Sequence, residues 1–170
     1  DNRNRTVQDL RSILARAGGN LGETNSVQWM FERVASVIAK PAKPMDAEEA
    51  AINAGANAIY FGVEQLNMRT RSAGTFSIND IKEVSTICKA NGIRSYITLN
   101  TVMYEHDMQL LRSILQEVKK QQIDAVIAAD FAVIESCSQM GIPLHISTQA
   151  NVSNIDTDEF YSNFADVVVL

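Results

Sequence analysis

From residue 45 onward the hydrophobic positions fall into two recurring patterns, short and almost wholly apolar runs, and longer segments with one apolar stripe at helical spacing. The short runs are AIYFGV (58–63), RSYITLN (94–100), AVIAAD (125–130), PLHISTQ (143–149) and DVVVL (166–170), with an earlier candidate at SVIAK (36–40). Each reads as a strand. Between them, SINDIKEVSTICKANG places Ile78, Ile81, Val84 and Cys88 on one stripe, and HDMQLLRSILQEVKKQQ does the same with Leu111, Ile114, Leu115 and Val118. Ser77 is expected to cap the first helix with Asp80 in its first turn, and Lys119 and Lys120 favour the end of the second. The helices are expected to stop at Gly55, Gly92 and Gly141, with Gln122 in the equivalent slot.

Apolar strands alternating with amphipathic helices predict right-handed crossovers and a parallel sheet buried on both faces. The fold class is therefore α/β, a partial barrel-like βα repeat of five to six strands. A closed (β/α) barrel requires eight strands, so either two units are missing or the sheet stays open.

Residues 1–38 follow another rule. RTVQDLRSILARAGGN predicts a helix with Val7, Leu10, Ile13 and Leu14 facing inward, ended by Gly18, Gly19 and Asn20. In SVQWMFER, Val27, Trp29 and Phe31 alternate with polar or flexible residues, the pattern of a strand buried on one face. Two prolines in AKPAKP (39–44) then mark a stiff connection, so the chain is read as an N-terminal helix–strand appendage, residues 1–38, and a partial barrel, residues 39–170.

Composition narrows the function classes. A length of 170 residues, 46% of them hydrophobic, is enough for one sizeable core, and a net charge of −5 disfavours bulk nucleic-acid binding. No apolar run approaches the roughly 20 residues that span a bilayer, and residues 1–20 lack a signal-peptide core, so no membrane association and a cytoplasmic location are expected. Cys88 and Cys137 are far apart and outside any Cys-x-x-Cys, which predicts two buried inert thiols and no metal site. The chain begins at Asp1 and stops inside an apolar strand, which reads as a piece of something longer.

Candidate chemistry collects at the polar ends of the strands, because ligands of parallel α/β folds bind beyond the carboxyl ends. In LHISTQ, Leu144, Ile146 and Thr148 should face one way and His145, Ser147 and Gln149 the other, toward a barrel mouth. Asn100, Asp130 and Asn151 close neighbouring strands. Asn100 and Asp130 read equally well as helix caps. A Ser–His nucleophile pair is disfavoured, because residues two apart on a strand point in parallel and no carboxylate orienter lies nearby. Arg69 and Arg71, two apart in an extended loop, are spaced either to clamp an anionic group or to sit in solvent on neighbouring carboxylates. His106 is expected at the surface.

The stretches AAINAGANAIYFGVEQLNMRTRSAGTFS, ICKANGIRSYITLNT, DAVIAADFAVI and GIPLHISTQANVSN resemble, in order and spacing, the N-terminal part of the collagenase-like peptidase family (peptidase family U, number thirty-two). The resemblance covers about residues 45–170. It implies a TIM-barrel-like catalytic part and either peptide hydrolysis or hydroxylation of tRNA, rRNA or ubiquinone precursors with a four-iron four-sulfur cluster. Neither Cys88 nor Cys137 matches the cluster cysteines, so no cofactor is expected in this chain. Residues 1–33, through GGNLGETNSVQWMFER, resemble YebC-type proteins, which implies transcriptional or translational regulation. MDAEEAAINAGA (45–56) is similar to both families and reads as a splice point of a chimera.

Three functions follow as expectations. An enzyme would use His145 as acid or base, with Ser147 and Gln149 beside it and Arg69, Arg71, Asn100, Asp130 and Asn151 on a peptide or RNA substrate. A binding module would contact nucleic acid or the ribosome through Arg3, Arg5, Arg11 and Arg16. A recombined or designed chimera would fold without activity of its own. Open strand edges predict homodimerisation or edge covering by SVQWMFER.

Overall fold

Five strands, each next to its neighbour in sequence, form one parallel sheet. The computed structural model describes residues 3–20, 22, 52–68 and 76–169. Its strands are β1 (Ala58–Gly62), β2 (Arg94–Leu99), β3 (Ala125–Ala128), β4 (Leu144–Ile146) and β5 (Val167–Val168), in spatial order β1-β2-β3-β4-β5. Four helices follow strands or link them: α2 (Asp80–Ala90), α3 (Met108–Gln121), α4 (Phe131–Met140) and α5 (Ile155–Ser162). With sequential order and right-handed crossovers, these four helices fall on the same side of the sheet, as in a barrel wall.

The side-chain pattern agrees. Phe61, Ile97, Leu99, Val126, Ala128, Leu144 and Ile146 are buried and pack with Ile81, Val84, Leu111, Ile114, Leu115, Val118, Val133 and Ile134 from the helices. The other face carries Tyr60, Tyr96, Ile127, His145 and Val167. Tyr60 and Val167 on it are 45% and 43% exposed whereas Thr98 and Ala125 are buried, so the expected burial on both faces is met only in part on this one. A barrel's inner face closes only when the sheet curls onto itself, and the five described strands alone do not complete that turn.

The four expected stops of this unit hold. Gly55, Gly92 and Gly141 have φ of +71°, +66° and +63°, and Gln122 takes the same left-handed geometry at 55° without being glycine. Lysines stitch successive units, with Lys89 Nζ donating to the Gln121 carbonyl at 2.7 Å and Lys119 Nζ to the Met140 carbonyl at 2.7 Å. Helix α2 starts later than expected. Asn79 is its N-cap, while Ser77 instead donates its N–H and O–H to the Asp80 carboxylate at 2.7 and 2.9 Å.

The chain divides into two compact units, Asp1–Ala35 and Ser36–Leu170. The first contains α1 (Arg3–Arg16), closed by Gly18 at φ +76°. Its stripe was expected to face inward, yet Val7, Leu10 and Ile13 are 40%, 46% and 62% exposed and Leu14 is half-buried. Periodicity creates the stripe but does not supply a partner for it. The expected strands at 27–31 and 36–40, the Pro-rich connection, the splice point around 45–56 up to Ala51, and Arg69 and Arg71 lie outside the described residues.

Candidate functional site at the carboxyl ends of the strands

The register stacks the inner-face residues in layers. Tyr60 pairs with Tyr96 and Tyr96 with Ala125. One step on, Gly62 pairs with Thr98, Thr98 with Ile127, Ile127 with His145 and His145 with Val167. A further step brings Asn100 and Ser147 to the rim. Ser147 continues the ladder by donating its N–H to the Ala128 carbonyl at 2.7 Å.

Asn100 spans the rim. Its Oδ1 accepts the Met68 N–H at 3.3 Å from the loop after β1, and its Nδ2 donates to Ser147 Oγ at 3.3 Å beyond β4. Asn100 caps no helix. Asp130 does, its Oδ1 accepting the Ala132 N–H at 2.8 Å at the start of α4, while Oδ2 accepts the Met103 N–H at 3.0 Å from the loop after β2. Asp130 thus caps α4, while Asn100 ties the loop after β1 to the end of β4.

The alternation in LHISTQ holds through Ser147 and then breaks. Leu144, Ile146 and Ser147 are buried and His145 is half-buried, but Thr148–Ala150 turn into a short 3₁₀ helix that exposes Thr148 and Gln149 together. Ser147 Oγ accepts the Gln149 N–H at 3.3 Å, a side-chain cap that draws the chain out of the strand. Asn151 closes this turn at φ 53°, its Nδ2 donating to the Gln149 carbonyl at 3.1 Å.

His145 lies one layer below Ser147 and turns toward Tyr96, with ring centroids 4.8 Å apart and planes inclined by 57°. Ala125 stands between their strands and is small enough to let the rings meet across β3. Burial pushes the imidazole below its ordinary pKa, Asp166 opposes that shift, and Arg94 adds to it. The structure brings Asn100 and Ser147 together and places His145 with Tyr96, Gln149 at the exposed turn and Asp130 at the adjoining helix start. His106 is at the surface, with its side chain 79% exposed.

Two residues escaped the sequence reading. Thr98 is buried and its Oγ1 donates to the Phe61 carbonyl at 3.0 Å. Asn67 is 3% exposed and folds back against Gly62 on the inner face. The one signal for Asn67 was a glycine inside a strand, which often marks close approach of another group.

Cys88 and Cys137 do not fit an iron–sulfur cluster. They are buried on two different helices, and burial pushes the Cys137 thiol up to about 12, away from the thiolate a cluster ligand must be. Among the described residues no group of three or more His, Cys, Asp or Glu side chains is placed to hold a metal ion. Among the same residues no helix is long and apolar enough to cross a membrane.

Comparison with known proteins matches this architecture. The chain is 46% identical over 133 residues to a collagenase of Porphyromonas gingivalis, covering 78% of this chain and 32% of that protein. It is 33% identical over 127 residues to tRNA hydroxylation protein P of Helicobacter pylori, covering 73% of this chain and 30% of that one. A probable transcriptional regulatory protein of Geotalea uraniireducens is 38% identical over 84 residues, 49% of this chain and 34% of the regulator. The solved structure of a U32 peptidase superposes with a TM-score of 0.59 at 14% identity, covering 82% of this chain and 62% of the other. The chain thus spans about a third of the length of the curated relatives it matches. The model of peptidase family U32 matches residues 43–170, and the chain belongs to that family.

Proposed function

We propose that residues 39–170 are the substrate-binding part of a peptide-hydrolysing U32 protein, with the substrate lying over the carboxyl ends of β2, β3 and β4. The observation that carries this reading is the Asn100–Ser147 pair, a part-buried polar contact at the end of the sheet where α/β folds bind ligands. The 46% identity to a collagenase supports a peptide as substrate. Asn100, Asn151, Gln149, Arg69 and Arg71 contact the chain of the peptide, and Asp130 holds the loop beside it. His145, favoured as the neutral imidazole, takes the proton of the attacking water.

Incubation of the 170-residue chain with gelatin at neutral pH tests this reading. Cleavage that falls about 10²-fold or more in His145→Ala is the expected result. No cleavage above the blank, or equal cleavage by His145→Ala, overturns it.

A hydroxylase reading rests on the likeness to tRNA hydroxylation protein P. Since Cys88 and Cys137 do not fit the iron–sulfur cluster that the family resemblance implies, no step of that chemistry derives from this chain. A two-part reading, in which residues 1–38 are a YebC-like nucleic-acid or ribosome contact through Arg3, Arg5, Arg11 and Arg16, is favoured by the 38% identity to a regulator. It expects RNA binding that weakens steeply with salt and is lost when those arginines are replaced.

A further inference from the structure

We propose that Ser147 is a dedicated hydrogen-bond donor at the rim, its hydroxyl proton held ready for the carbonyl oxygen of a neutral amide. The proposal deepens the substrate-binding reading above and rests on it. It follows from the direction of three hydrogen bonds.

A backbone N–H can only donate. The atom of Asn100 that lies 3.3 Å from the Met68 nitrogen is therefore Oδ1, which leaves Nδ2, also only a donor, 3.3 Å from Ser147 Oγ. The Gln149 N–H, again only a donor, reaches the same Oγ at 3.3 Å. Two donors occupy the two lone pairs of the hydroxyl, so its own proton must be given away. Among the described residues no acceptor takes it.

Ser147 is 4% exposed, and a hydroxyl proton at that depth is unfavourable without an acceptor. The rim thus displays a donor of fixed direction that no described residue satisfies. The described side chains around it choose the acceptor's charge. Asn100 and Gln149, whose N–H groups reach its oxygen, carry no charge, a setting that suits a neutral amide carbonyl over a carboxylate.

The same geometry separates Ser147 from nucleophilic chemistry. A serine nucleophile passes its proton to a base, and the nearest imidazole, His145, is turned to Tyr96 one layer below. Ser147 binds and orients.

The test is a ¹H–¹⁵N titration of the full chain with N-methylacetamide, and in a second arm with acetate, following the Gln149 N–H and Asn100 Nδ2H₂ signals. Saturable shifts with N-methylacetamide are expected, about tenfold weaker in Ser147→Ala. Asn100→Asp is the sharper variant, because its carboxylate still accepts from Met68 but now also accepts from Ser147, turning the hydroxyl around. It should lose about as much affinity as Ser147→Ala, with no further loss in the double variant.

Equal affinity in wild type and Ser147→Ala overturns the donor role and leaves the rim as a binding site. Unchanged affinity in Asn100→Asp overturns the fixed direction. Acetate binding more tightly than N-methylacetamide overturns the neutral-amide assignment. Absence of any saturable shift at these signals overturns the proposal together with the rim reading.

Discussion

The Asn67 carboxamide lies so close to Gly62 that a β-carbon there would stand 2.5 Å from its Oδ1 and 2.6 Å from its Nδ2. The contact is held from the other side, since Asn67 Nδ2 donates to the Glu64 carbonyl at 3.0 Å and Glu64 itself sits at φ 50°. The turn after β1 is thereby folded back over the inner face of the sheet, and Met68 is delivered to Asn100.

Gly62→Ala should therefore destabilise the chain by about 1–3 kcal/mol through overpacking against a fixed neighbour. Urea denaturation measures it. Adding Asn67→Ala should recover part of the loss, because the alanine side chain vacates the space the new methyl needs. The same loss in both backgrounds would show that the Gly62–Asn67 contact is not its cause.

The wall of the fold was legible because it obeys local rules. Left-handed stops at Gly55, Gly92, Gly141 and even Gln122, and the stripes Ile81–Val84–Cys88 and Leu111–Ile114–Leu115–Val118, follow from spacing alone. The site was legible in part. Asn100 and Ser147 could be placed at the rim, but the period-2 rule failed at Thr148, where a serine cap bends the chain into a 3₁₀ turn. Asn67 was invisible because its role depends on Gly62 through space. The apolar stripe of α1 was readable too, but periodicity says nothing of what covers it.

Asp130 offers a separable test of capping against ligand binding. Its two oxygens accept the Ala132 and Met103 N–H groups, so Asp130→Ala removes a helix cap and a loop tie at once. A loss of about 1–2 kcal/mol in thermal or urea unfolding is expected. Asp130→Asn keeps an acceptor for one of the two donors and should lose less. If both variants unfold like the parent, the cap does not contribute.

Cys137 should be chemically silent in the folded chain. It is fully buried in α4, and burial raises its pKa from 9.0 to about 12, so the thiolate that reacts is nearly absent at neutral pH. In a Cys88→Ala background, a disulfide reagent should label Cys137 only as the chain unfolds. The folded state also holds this proton more tightly than the unfolded one. The associated stability is present below pH 9.0 and is lost as the pH rises toward about 12. Cys137→Ala should flatten that alkaline decline. Rapid labelling of the native protein would contradict the burial.

His145 gives the opposite dependence. Burial, the largest influence, lowers its pKa below 6.5, so the unfolded chain binds the proton more readily than the folded one. Between the folded midpoint and 6.5 the unfolded state carries more protons. The stability this contributes is therefore complete above 6.5 and is lost as the pH falls through the folded midpoint. Two charges near His145 make the shift tunable. Asp166 favours the imidazolium and Arg94 opposes it, so Asp166→Asn should move the midpoint further down and Arg94→Gln should move it up. Titration of the imidazole C–H proton signals reads both shifts directly. Tyr96→Leu keeps an apolar cover over the ring, whereas Tyr96→Ala opens it to water and should return the midpoint toward 6.5. A midpoint that stays put in Tyr96→Ala would mean that Tyr96 is not what keeps water from His145, and the shift would then have to arise from the sheet beneath it.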